Sequence, residues 1–110
     1  MEHRWDERLS TEVRTVLEKT GGQPVSAVIR NISTGGLYVE TAQPLHSYEC
    51  FEVCVQLPEA GAWHAHRAPA VVTHTETRGA GLMFSAIDRK MLFALKNLTA
   101  GRVQESLKFD

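Results

Sequence analysis

Two short clusters in the 110-residue chain bring together side chains suited to holding a small anionic ligand. The first is Arg4-Trp5-Asp6-Glu7-Arg8, an Arg-x-x-x-Arg near the start of the chain. A guanidinium forks bidentately onto anionic oxygens and stacks on flat rings, neither of which a lysine does equally well. The second is Asn31-Ile32-Ser33-Thr34-Gly35-Gly36, an Asn-x-Ser-x-x-Gly. Its amide accepts at oxygen and donates at nitrogen, and its hydroxyl does either. A glycine lets backbone approach a ligand and permits positive φ. Either cluster alone has an ordinary explanation, since arginines four apart arise by chance and Asn-x-Ser beside glycines is a common turn.

Other chemistries find little support. No Ser or Cys nucleophile stands near a histidine with an orienting acid at recognisable spacing, and no glycine-rich phosphate loop enters a helix, so no enzyme is expected. His64 and His66 alternate on one strand face and His74 lies further along, but ordinary strand histidines explain them and no metal is expected. Cys50 and Cys54 fall on one face of a strand and are expected to be buried thiols. Trp63 and Phe51 are expected to be core or rim aromatics.

Charge narrows the partners. Twelve Lys+Arg against 13 Asp+Glu leave a net charge of −1, against the cation excess that DNA or RNA binding by counterion release requires. A nucleic-acid-binding barrel would also need a basic, aromatic-lined face, and only 7% of residues are aromatic. No apolar run approaches the roughly 18 residues of a membrane span, and the N-terminus has no apolar leader, so a cytoplasmic location without membrane insertion is expected.

The elements that must position the clusters follow from periodicity. Leu9, Thr11, Val13, Thr15 and Leu17 share one strand parity, and Ser10, Glu12, Arg14 and Glu18 the other. Gly21-Gly22 turns the chain into a second strand over Gln23 to Ile32, and the Ser33–Gly36 break leads to a third at Leu37-Tyr38-Val39. A fourth strand is expected from Tyr48 to Leu57, stopped by Pro58. Glu59-Ala60-Gly61 forms a loop, a fifth strand runs from Trp63 to Glu76 with an interruption at Pro69, and Gly81–Phe84 is a sixth. Ile87, Met91, Leu92, Leu95 and Leu98 then recur at helical spacing, with Asp88 as N-cap and Gly101 just past the end. The stripe is the face expected to pack on the strands. The pattern predicts one all-β domain, a small barrel or sandwich with an appended helix.

Taken together, in this order and with Arg8 and Asn31 separated by 23 positions, the two clusters resemble the PilZ domain. Gly79-Ala80-Gly81-Leu82-Met83-Phe84 is similar to the late Gly-x-Gly-apolar-x-Phe strand of that family. The resemblance implies a six-stranded antiparallel PilZ-type β-barrel with a C-terminal α-helix over 9–100, a flexible N-terminal segment over 1–8 and a tail over 101–110. It also implies a receptor for the bacterial second messenger cyclic di-GMP that relays the bound state to a downstream protein effector. On that resemblance Arg4, Arg8, Asn31, Ser33 and Gly36 are the ligand-binding residues, with His3 and Gly35 as possible additions. His3 stands where many members carry a further arginine, which bears on whether one or two ligand molecules bind. Residues 1–8 are expected to order on the barrel when ligand binds, making a new surface for the partner. The alternative is a protein–protein adaptor on the same fold with weak or no ligand binding.

Overall fold

The structure is a computed structural model, and it describes residues 9–19 and 21–99. Six antiparallel strands, β1 (Leu9–Glu18), β2 (Val25–Ile32), β3 (Gly36–Glu40), β4 (Cys50–Glu59), β5 (Ala62–Glu76) and β6 (Gly79–Phe84), precede one helix, α1 (Arg89–Thr99). They close into a barrel in the order β1-β2-β3-β6-β5-β4. This is the architecture expected from the sequence.

Alternation fills the barrel. On β1 Thr15 and Leu17 are buried while Glu12, Arg14 and Glu18 face water, as the parity predicts. Leu17, Ile29, Leu37, Val39, Val53 and Val72 are fully buried inside, and Met91, Leu95 and Leu98 of α1 join the same cluster. Burial of such side chains, at roughly 25 cal/mol per Å² of apolar area, is what holds the helix on the sheet. The helix starts where expected: Asp88 Oδ1 accepts from Met91 N at 2.8 Å and Asp88 O from Leu92 N at 2.9 Å. Gly101 lies outside the described residues.

Three local expectations are corrected. Cys50 is exposed and Cys54 half-buried. The thiols share a face, but it is the outer one, because Phe51, Val53, Val55 and Leu57 take the core parity of β4. Pro58 does not stop β4, which runs on to Glu59 with Pro58 opposite Trp63. β5 is likewise continuous through Pro69. Both prolines sit where a neighbouring ladder has ended: β1 pairs β4 only at Leu17–Val53 and Glu18–Glu52, and β6 pairs β5 no further than Phe84–Ala70. A missing N–H there costs little.

The β1–β4 contact is thus the short seam of the barrel. Glu18 and Glu52 face each other across it, a repulsive pairing that Arg67 offsets by bonding Glu18 and approaching Glu52 to 4.0 Å. Thr15 Oγ1 donates to Cys54 O at 2.5 Å where the two strands part. A groove of about 520 Å³ lies beside the seam, lined in part by Lys19, Phe51 and Cys50. The loop expected at 59–61 narrows to Ala60-Gly61, with φ of 51° and 81°, the pattern of a two-residue type I′ hairpin. Alanine is strained in that conformation, so Ala60→Asn should raise stability by roughly 0.5–1 kcal/mol, read as a higher melting temperature. An unchanged or lower midpoint would contradict the turn assignment.

Candidate functional site

The second cluster forms the connection between β2 and β3, and its shape comes from its own hydrogen bonds. Ser33 N donates to Gly36 O at 2.8 Å, and Gly35 N donates to Ser33 Oγ at 3.2 Å. The Ser33 hydroxyl also lies 3.4 Å from Gly36 O, and the residue is only 1% exposed. The serine is therefore built into the turn. Phe84 N donates to Gly35 O at 2.9 Å, which ties the turn to the end of β6.

Gly36 is required for packing. Its φ lies outside the left-handed region, so the conformational freedom expected of it is not used. A Cβ on Gly36 would instead fall 2.1 Å from Leu82 O and 3.0 Å from Met83 Cα. The absent side chain lets β3 lie against β6 backbone.

Asn31 reaches the outer surface through an irregularity of β2. The β2–β3 register shifts between Ile29 and Asn31, so Ile29 and Ile32 both enter the core while Arg30 and Asn31 are both partly exposed. Arg30 then bridges two strands, its Nε 2.7 Å from Glu40 Oε1 and its Nη1 3.5 Å from Glu12 Oε1. Asn31 pairs with Ser10 of β1 on one side and Tyr38 of β3 on the other. Asn31, Ser33, Gly35 and Gly36 are thus gathered at one end of the β2–β3 hairpin. His3, Arg4 and Arg8 lie outside the described residues. Leu9, which follows Arg8 directly, pairs with Ile32.

A protein-family profile for the PilZ domain matches residues 2–101. The chain belongs to the PilZ domain family. Solved PilZ domains share its fold. That of YcgR from Escherichia coli, determined with c-di-GMP, is 15% identical, with a TM-score of 0.72 over 96% of this chain and 95% of that one. The PilZ domain of CeSA from a cellulose-synthesizing bacterium is 17% identical, with a TM-score of 0.62 over 86% of this chain and 96% of that one. The Bacillus subtilis inhibitor of motility, MotI/DgrA, is 22% identical with a TM-score of 0.80 over 98% of this chain, which spans 55% of that protein's length. No curated protein sequence matches.

The rest of this PilZ domain was partly hidden from sequence reasoning. Tyr38 donates its hydroxyl to Glu76 Oε1 at 2.9 Å, and His74 Nε2 lies 2.8 Å from Glu76 Oε2. The hydrogen bond from His74, then that from Tyr38, holds the Glu76 carboxyl below the ordinary carboxylate range. Burial, then the bond to Glu76, pushes the Tyr38 phenol up. The only hint in the sequence is that Tyr38 shares strand parity with Gly36. Among the described residues no group of three His, Cys, Asp or Glu could hold a metal ion, and no helix is long and apolar enough to cross a membrane.

Proposed function

We propose that this PilZ domain binds cyclic di-GMP at the β2–β3 turn and passes the bound state to a protein partner. The observation that carries the reading is the register: Ser10–Asn31 and Leu9–Ile32 pairing brings the start of β1 to the end of β2 that leads into the Ser33–Gly36 turn, and Arg8 directly precedes Leu9 in the sequence. The family match and the c-di-GMP in the YcgR domain support the choice of ligand. Arg4 and Arg8 supply forks for phosphate oxygens and guanine, and Asn31 offers an amide to a guanine edge. Ser33 and the glycines contribute by fixing the turn's shape. Residues 1–8 fold over the ligand and give the partner a new surface.

Such binding uses contacts and conformational change without bond chemistry. The description of MotI/DgrA as an inhibitor of motility supports an effector role acting on another protein. Calorimetry with cyclic di-GMP tests the reading. Saturable binding that weakens as salt rises is expected, because phosphate–guanidinium contacts are screened. No heat at millimolar ligand would leave an adaptor role in its place, and salt-independent affinity would remove the arginine–phosphate contacts as a main contribution.

A further inference from the structure

One cross-strand row on the outer surface of the barrel continues from the turn: Ser10, Asn31, Tyr38, Gly81 and His74, on β1, β2, β3, β6 and β5. Its centre is low, because Gly81 contributes no side chain. That glycine is not required by packing, since a Cβ there would meet only His74, at 3.7 Å. Gly79, one step away on the same strand face, is different. A Cβ at Gly79 would lie 2.4 Å from the Tyr38 hydroxyl and 2.8 Å from Cζ of its ring. The Tyr38 ring therefore lies over the backbone of β6. It is anchored at one end by β3 and at the other by its bond to Glu76, which His74 holds in turn. Tyr38 is half-buried, with one side on the sheet and the rest toward solvent.

A flat ring whose freedom is already spent, next in the row to Asn31, is a platform for a planar group. We propose that Tyr38 is a specificity-determining residue of this site: its ring carries one purine base of bound cyclic di-GMP, with Glu76 and His74 as positioning residues. The inference rests on the cyclic di-GMP reading given above. Electrostatics sets the orientation. Glu76 bonds the Tyr38 hydroxyl and is held below the ordinary carboxylate range, whereas Glu40, two positions along β3, is paired with Arg30, so the Glu76 end favours an uncharged base whose N–H groups can face its carboxylate over a phosphate. The phosphates are left to the opposite end of the row, where Asn31 and the β2–β3 turn lie. The gap over Gly81 gives the base room.

Base–aromatic stacking gives an expected loss of about tenfold or more when the ring is removed. Calorimetry of cyclic di-GMP on the wild type, Tyr38→Leu, Tyr38→Phe and Tyr38→Trp tests it, with melting temperatures recorded for each. Tyr38→Leu keeps apolar bulk and should bind about tenfold more weakly or worse, Trp should stay within about threefold of the wild type, and Phe, which keeps the ring but loses the bond to Glu76, should fall between the wild type and Leu. A purely structural role would follow melting temperature, not aromaticity. Leu binding as tightly as Phe overturns the inference and leaves the site at the turn intact. A wild type that does not bind overturns the receptor reading and this inference with it.

Discussion

Gly36→Ala should cost the domain about 3 kcal/mol or more, a large part of the roughly 5–15 kcal/mol that holds a typical domain folded. The new methyl would meet the carbonyl oxygen of Leu82 at 2.1 Å and the carbonyl carbon of Leu82 at 3.1 Å. Both belong to backbone, which cannot swing away as a side chain would. β3 and β6 must separate, and the bonds from Ser33 N to Gly36 O and from Phe84 N to Gly35 O are strained with them. Gly81→Ala is the control, because its Cβ would make only ordinary contact. Urea denaturation of the two variants decides the matter. A Gly36→Ala midpoint close to the wild type, or equal damage from Gly81→Ala, would show that the close approach of the strands is not what demands glycine.

Arg8→Ala should abolish most of the affinity for cyclic di-GMP while leaving the barrel folded. Truncating one partner of a hydrogen-bonded charge pair costs about 2–5 kcal/mol, and each 1.4 kcal/mol is tenfold, so a loss of roughly 30-fold to several thousand-fold is expected. Arg8→Lys restores the charge without the fork and should recover only part of the loss. Stability should not follow affinity, since Arg8 precedes the first strand and the core is built from Leu17 onward. Calorimetry beside a thermal melt separates the two quantities. Affinity within threefold of the wild type in Arg8→Ala would remove this arginine from the site.

Much of the fold was legible because local signals agreed with the tertiary result. Parity on β1, the helical stripe and the Asp88 cap all describe single elements, and single elements are what a sequence pattern reports. Misreadings came where a neighbouring strand decides the outcome. Cys50 and Cys54 face outward because Phe51, Val53, Val55 and Leu57 form the stronger apolar set on the opposite parity. Pro58 and Pro69 stay within strands because the ladders beside them have ended, which is a property of register. The site divides in the same way. Asn31, Ser33 and the glycines were visible as a turn, whereas the bulge that exposes Asn31 and the Tyr38–Glu76–His74 chain depend on pairing between strands far apart in sequence. The reason for Gly36 was likewise hidden, since Leu82 stands 46 positions later.

The two-pair seam gives the barrel an uneven mechanical character. β1 pairs with β2 from Leu9 to Leu17 with one irregularity, yet its ladder with β4 is limited to Leu17–Val53 and Glu18–Glu52, supplemented by the Thr15 hydroxyl bond to Cys54 O, while β4 is paired with β5 along its entire span. The β1–β4 junction therefore pairs fewer residues than any other junction of the barrel. Helix α1 rests against β4, on the other lip of the opening, so the width of the gap is felt beneath it. The least extensively paired junction of the barrel thus has, on one of its two strands, the helix that the described residues contain.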